Sequence, residues 1–278
     1  MSAERVTLQR LRQMKHAGEK SVCVVAWDYQ MARIADRAGV DIVSVGDTVG
    51  VNLWGHDNPL EVTMEEMIVV AKAVRRGVSR ALVSVDFPYG PLQEGTDAAV
   101  RAAIRLAKET GVDMVKLDGA ADYPEAVEAV VRAGIPVFAQ FGITPQTALR
   151  YGVAYTGAAT TADAVSEEMR AEMTVDAKRL ERAGASLLNF TNSGPVVGPA
   201  VVASVDVPVL GGFGGGPWLD GRIRMATAAI GYHAKWLDAE PDTYANVART
   251  AYDSLTAYAA DVRAARQIRG GVPVASPS

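Results

Sequence analysis

The chain has one cysteine, Cys23, and three histidines among its 278 residues. A single thiol excludes an internal disulfide and any thiolate metal cluster. Its place in the apolar run from Ser21 to Ala26 reads as strand packing. No stretch approaches the roughly 18 uninterrupted apolar residues that cross a bilayer. Aromatic residues make up only 6%, and the formal charge of -4 comes from interspersed acidic and basic residues. There is no basic stripe for nucleic acid and no basic amphipathic anchor for a membrane. The first 13 residues mix Glu4, Arg5, Arg10 and Arg12 with isolated apolar positions, so a signal peptide is not expected and the cytoplasm is the default location.

What is present is a large apolar fraction, 49%, beside 22% charged residues, enough for one large core at a length that suits a single α/β barrel. A repeat gives the architecture: Arg37-Ala-Gly-Val-Asp-Ile-Val, Glu109-Thr-Gly-Val-Asp-Met-Val, Arg132-Ala-Gly-Ile-Pro-Val-Phe and Arg182-Ala-Gly-Ala-Ser-Leu-Leu. Each couples a helix end to a strand. Glycine after the last turn supplies a left-handed cap, and the apolar run that follows suits a parallel strand buried on both faces. Strands are expected at 21–26, 41–45, 81–85, 114–117, 136–140, 187–190 and 207–210, with the apolar stretch 224–232 closing the ring. Helices are expected at 7–16, 30–38, 63–76, 96–110, 124–133 and 167–183, Thr63 and Glu66 forming a capping box. The alternation favours a (β/α)8 TIM barrel over a doubly wound open sheet. A C-terminal helical extension over 240–267 completes a single domain spanning 1–268, and 269–278 reads as a disordered tail. Tyr151 to Thr161, rich in Gly, Ala and Thr, reads as a mobile loop over the site.

Barrels of this kind place reactive residues after the strands, at the C-terminal face. Three strands there end in an acid: Asp47, Asp86 and Asp118. One such residue could equally cap a helix or bind a turn amide. Three at homologous ends point to an oxygen-rich site for a hard divalent cation; magnesium, which takes few protein oxygens, leaves room for a bidentate 2-oxo acid. Lys116 lies two residues before Asp118 and faces the same way. It either neutralises the carboxylates or holds a substrate carboxylate; a Schiff base suits it less, because neighbouring carboxylates keep it protonated. His56, in the loop Trp54-Gly55-His56-Asp57, is a candidate of interest beside the reading as a surface group, while His16 and His233 read as structural or exposed. Gln140 and Thr191 end the fifth and sixth strands; both are neutral and can position a substrate without serving as strong bases. The glycine-rich run 211–216, which includes Gly212, offers steric clearance or backbone amides for a carboxylate. Thr144 before Pro145 reads as a helix N-cap.

Val45-Gly46-Asp47-Thr48, followed by Gly55-His56-Asp57 and Val62-Thr63, resembles the signature of the ketopantoate hydroxymethyltransferase family, within the phosphoenolpyruvate mutase and isocitrate lyase group of barrels. Val85-Asp86-Phe87-Pro88, Met114-Val115-Lys116-Leu117-Asp118-Gly119, Gly142-Ile143-Thr144-Pro145-Gln146 and the glycine-rich run follow in that family's order. The resemblance implies a magnesium ion held by Asp47 and Asp86, with Asp118 in the place of a glutamate that reaches the metal through water. It implies a small-molecule 2-oxo acid whose carboxylate is held by Thr48 and Lys116, with Gly46 and Gly212 lining the same site. Methylenetetrahydrofolate as one-carbon co-substrate and a homo-oligomer follow from it too. The chain departs from the family where the proton is moved: Thr191 stands in the place of a glutamate base and Gln140 in that of a histidine, and 151–159 lacks the usual basic residue. The reading drawn is a magnesium-dependent hydroxymethyltransferase or aldolase-type enzyme, with Lys116, Asp118, Gln140 and Thr191 as the residues at the reacting centre and an altered acceptor. A 2-oxo acid carbon-carbon lyase or decarboxylase is the alternative, and an inactive ligand-binding relative is the alternative of another class.

Overall fold

A computed structural model describes residues 4–147, 167–212, 214–240, 242–264, 266 and 269. It comprises two compact units, Met1–Arg224 and Met225–Ser278. In the first, helix α1 (Leu8–Ala17) leads into strand β1 (Ser21–Val25). There follow α2 (Tyr29–Arg37), β2 (Ile42–Val45), α3 (Met64–Gly77), β3 (Leu82–Asp86), α4 (Thr96–Thr110) and β4 (Met114–Leu117). Then come α5 (Pro124–Arg132), β5 (Val137–Gly142), α6 (Glu167–Arg182), β6 (Leu187–Thr191), α7 (Gly194–Ser204), β7 (Val209–Gly211) and β8 (Gly221–Met225). The strands close into a barrel in sequence order, β1 to β8, and the fold is the expected TIM barrel.

The local reasons are those the repeat announces. Gly39, Gly111, Gly134 and Gly184 adopt φ of 89°, 70°, 86° and 91°, a region that side chains with a Cβ enter only at a cost. Every position of β2, β3 and β4 is buried. Helix α3 buries Met67, Ile68, Val70, Ala71 and Val74 on one face and carries the Thr63–Glu66 capping box at its start; this spacing is what packs a helix against a barrel.

Inside the barrel, one apolar cluster joins Val6, Leu11 and Met14 to Cys23, Ile42, Leu82, Met114, Phe138, Leu187 and Leu210. Inward positions recur every second residue, so the next turn of the lining is Ser44, Ser84, Lys116, Gln140 and Asn189, all buried. Barrel interiors of this fold are ordinarily filled by branched apolar residues. Here the lining changes from apolar to polar halfway along the strands. Ser84 Oγ donates to Ser44 Oγ at 2.7 Å, the first link of a polar network that continues to the C-terminal edge.

Asp36 on α2 ties that helix to the approach to β3. Its carboxylate accepts the N–H groups of Ser79 at 3.0 Å, Arg80 at 3.0 Å and Ala81 at 2.7 Å, and the Ser79 hydroxyl at 2.8 Å. Burial works to raise its pKa, but these donors outweigh it and hold the carboxyl below its ordinary value. Asp36→Ala would leave the three amides unpaired and is expected to cost on the order of 3 kcal/mol. Because the folded pKa is depressed, that contribution is complete above the unfolded carboxylate value and disappears as pH falls through the folded one. Urea melts of parent and variant at neutral pH should therefore differ, and the gap should close only in strong acid.

Three departures from the expected elements are found. The barrel closes with β8 at Gly221–Met225, while 226–230 forms a short helix; Arg222 and Arg224 are exposed on the ring's last strand, and their charges mask its alternation in the sequence. Between β6 and β7 lies α7, a helix whose pattern in the sequence is broken because Pro195 and Pro199 both fall in it. Strand β5 also runs on to Gly142. The 151–161 loop lies outside the described residues, as does the expected tail apart from Arg269.

The second unit contains α8 (Ala226–Ile230) and α9 (Val247–Arg263), the latter within the expected helical extension. Asn246 caps α9 by accepting the Arg249 N–H at 3.0 Å. Among the described residues no helix is long and apolar enough to cross a membrane.

Candidate active site

Parallel pairing of β3 with β4 sets Asp86 opposite Lys116. Lys116 Nζ donates to Asp86 Oδ2 at 2.7 Å. Asp86 also accepts the backbone N–H of Asp47, and Ser44 Oγ lies 3.5 Å from its other oxygen. On the neighbouring strand end, Asp47 Oδ2 accepts Gln146 Nε2 at 2.8 Å, and the same amide reaches the Phe87 carbonyl at 3.2 Å. The Gln146 backbone N–H donates to Asp118 Oδ2 at 3.3 Å. Asp118 Oδ1 is buried with no partner among the described residues. Gln146 thus links the ends of β2, β3 and β4.

This is a charge-dense interior. Asp47, Asp86, Lys116 and Asp118 are each less than a tenth exposed. Burial, reinforced by Asp86, pushes the Asp47 carboxyl up to about 7. Burial likewise lifts Asp118 to about 6 against the opposing pull of the Thr144 hydroxyl and Lys116. For Lys116 burial disfavours the charge, yet Asp86 and Asp47 outweigh it and hold the ammonium above its ordinary value. A lysine so held stays protonated, which removes it as a Schiff-base nucleophile.

Among the described residues one ammonium faces three carboxylates, which leaves the cluster short of positive charge, and the orphaned Asp118 Oδ1 is an oxygen in search of a donor or cation. The donor set therefore fits a hard divalent ion. The three acids do not gather into a three-ligand group at metal-binding spacing among the described residues. Magnesium takes one or two carboxylates and keeps water for the rest, so Asp47 and Asp86, in direct contact through the Asp47 amide, suit it as a pair.

Gly46 is required by the same corner. A Cβ there would come within 2.9 Å of Thr48 Oγ1 and 3.0 Å of Val25 Cγ1, and 3.8 Å from Asp86 Oδ2. Its carbonyl accepts the Trp27 indole N–H at 3.0 Å, which secures the end of β2. At Gly212 a Cβ would lie 3.2 Å from the Ile223 carbonyl oxygen of β8, a tight approach. His56 lies against Trp54, ring centroids 5.9 Å apart, and its Nδ1 is buried without a partner among the described residues.

The β5–β6 side of the mouth is neutral. Gln140 pairs in register with Asn189 and Gly142 with Thr191. Gln140 Nε2 donates to Thr191 Oγ1 at 3.0 Å. Asn192, directly after β6, has φ of 57°, the one non-glycine residue described with positive φ, and its Nδ2 donates to the Ile143 carbonyl at 2.8 Å.

The sequence matches the ketopantoate hydroxymethyltransferase family over residues 5–267. The chain belongs to that family. It is 38% identical over 259 residues to 3-methyl-2-oxobutanoate hydroxymethyltransferase of Salinibacter ruber, covering 93% of this chain and 95% of the relative. Identity to the enzyme of the same name from Cytophaga hutchinsonii is 35%, covering 94% and 93%. Among solved structures, phosphonopyruvate hydrolase in complex with oxalate and magnesium aligns at a TM-score of 0.59 and 14% identity, over 97% of this chain and 92% of that one. A 2,3-dimethylmalate lyase of the phosphoenolpyruvate mutase/isocitrate lyase superfamily aligns at 0.59 and 15% identity, over 97% and 92%. At such identities these structures share the barrel fold.

In this ketopantoate hydroxymethyltransferase family member, six of the residues singled out from the sequence lie on two sides of the barrel's C-terminal mouth. Asp47, Asp86, Lys116 and Asp118 form its charged side, and Gln140 with Thr191 its neutral side. Gln146, Asn189, Asn192 and Trp27 went unrecognised as site residues. Gln146 closes a motif that reads as a helix start, and Asn192-Ser-Gly carries an ordinary turn signal; a buried asparagine two residues after Leu187 was the one visible hint of the polar lining.

Proposed function

We propose that the chain is a magnesium-dependent hydroxymethyltransferase that forms a carbon-carbon bond next to the carbonyl of a small 2-oxo acid. The one-carbon donor of this reading is methylenetetrahydrofolate, and the enzyme is a cytoplasmic homo-oligomer. Family membership supports the reaction class, and the observation that carries it is the buried Asp47, Asp86 and Lys116 arrangement at the C-terminal edge of β2 to β4. Magnesium, when bound, would polarise the 2-oxo group and favour the enolate.

On this reading Asp47 and Asp86 would hold the ion. Lys116 keeps two N–H donors beyond the one engaged by Asp86 and, with the Thr48 hydroxyl, holds the substrate carboxylate. Asp118 Oδ1 is free to accept a hydrogen bond from substrate or from water at the ion. Gln140 and Thr191 orient the substrate's far end and, being neutral, hold no proton-accepting charge near pH 7.

The direct test is exchange of C3 protons of 3-methyl-2-oxobutanoate and other 2-oxo acids into heavy water, followed by NMR with and without magnesium. Magnesium-dependent exchange is the expected result. The neutral Gln140–Thr191 pair favours one second reading, a lyase, because cleavage yields an enolate without removal of a C3 proton. Product formation without exchange would select it, whereas tight binding with neither would leave the inactive relative.

A further inference from the structure

We propose that the β5–β6 side of the mouth is a subsite for a hydroxylated chain, so that the 2-oxo acid taken by this site already carries hydroxyl groups beyond C3 before any one-carbon transfer. The inference rests on the reading of the charged side as the 2-oxo acid anchor and adds the chemistry of the rest of the substrate.

The lining of the barrel carries it. Gln140 and Asn189 follow Phe138 and Leu187 on the inward face; Phe138 and Leu187 lie in the apolar core, and the two amides stand directly opposite each other across the β5–β6 ladder. They are 4% and 5% exposed. Gln140 Oε1 and Asn189 Oδ1 are buried with no partner among the described residues, and Asn192 Oδ1 is a third such atom nearby in sequence. The Asn192 amide is oriented by its bond to the Ile143 carbonyl, so its oxygen is the end left over.

Buried acceptors are costly unless a donor meets them. An aliphatic tail offers none. An ammonium would arrive without a counter-charge, since Gln140, Asn189, Thr191, Asn192 and Ser193 are all neutral, and a carboxylate would face oxygens. A hydroxyl group matches: it both donates and accepts, so it satisfies a side-chain amide in either orientation. The count decides how many are needed. The hydroxyl created by transfer of a one-carbon unit brings a single O–H, which pairs one oxygen, whereas Gln140 and Asn189 together present two. At least one hydroxyl must therefore belong to the acceptor itself. Thr191 and Asn192 also line a small cavity with Gly142, Ile143, Met173, Phe190 and Val197.

The test uses the full chain with magnesium and matched pairs of acids, 2-oxobutanoate against 4-hydroxy-2-oxobutanoate and 2-oxopentanoate against 4,5-dihydroxy-2-oxopentanoate, with affinities measured by calorimetry. A site built to bond a hydroxyl discriminates strongly against the analogue that lacks it, so the dihydroxy acid is expected to bind at least about tenfold tighter than its plain partner. Gln140→Leu and Asn189→Leu, checked for folding by thermal melts, should shrink that ratio toward one. The parent comparison stands even if neither variant folds. Plain and hydroxylated acids binding within twofold of each other would overturn this inference and leave the hydroxymethyltransferase reading intact. If no 2-oxo acid binds at all, that reading fails and the inference falls with it.

Discussion

Asp86→Asn should yield a folded protein that has lost magnesium-supported turnover, with kcat/KM lower by on the order of a thousandfold, the cost of removing one strong preorganised electrostatic contact in a dry site. Asparagine keeps the shape of the side chain and abolishes its charge. The pair with Asp47 then offers half its former negative charge to a divalent ion, and Lys116 exchanges an ionic partner at 2.7 Å for a neutral amide. Folding should suffer less than activity. Asp86 already carries its charge against burial, which raises its pKa, and Lys116 retains the attraction of Asp47 and Asp118. Magnesium affinity by calorimetry, kcat/KM with any 2-oxo acid that shows exchange, and a thermal melt would read all three consequences. Activity within tenfold of the parent, with unchanged magnesium affinity, would remove Asp86 from the metal site.

Lys116→Met is expected to act differently, on substrate binding and on stability together. Loss of the ammonium deprives the substrate carboxylate of a charged donor, and such bonds are worth about 10- to 100-fold in affinity, so KM for the 2-oxo acid should rise by that factor. It also leaves Asp47, Asp86 and Asp118 buried without a cation. Their pKa values, already raised in Asp47 to about 7 and in Asp118 to about 6, must climb further. A carboxyl whose folded pKa exceeds its unfolded value is a penalty present above the folded value and relieved as pH falls toward the unfolded one. The variant should therefore gain stability between pH 8 and pH 6, as seen in urea melts at the two pH values, and added magnesium should stabilise it at pH 8. Lys116→Arg should not restore substrate affinity, because a planar fork cannot replace a compact ammonium in a buried slot. A melt unchanged by pH and a KM within twofold of the parent would show that the ammonium serves neither purpose.

Most of the barrel was legible because its units repeat. The Arg-Ala-Gly pattern marks a helix end at each occurrence, and the all-apolar runs after it suit strands buried on both faces. Legibility failed where a local signal contradicted the role: prolines inside α7, arginines on β8. At the site, Asp47, Asp86 and Asp118 were visible as acids ending apolar runs. Gln140 was visible as a polar strand end, but the polar turn it belongs to was not, since Ser44, Ser84 and Asn189 lie far from it in sequence and share its depth only once the strands are in register.

The sequence by itself therefore determined the first seven strands, their direction and which of their side chains reach the C-terminal edge, because helix caps and period-two alternation are local properties. Partnership was decided by the tertiary structure alone. Lys116 meets Asp86 from 30 residues away and Gln146 meets Asp47 from 99, and neither spacing carries a local signal. Closure of the ring sets the register that divides the mouth into one charged side and one neutral side whose oxygens are unpaired among the described residues, and burial inside that ring is what raises the carboxyl pKa values.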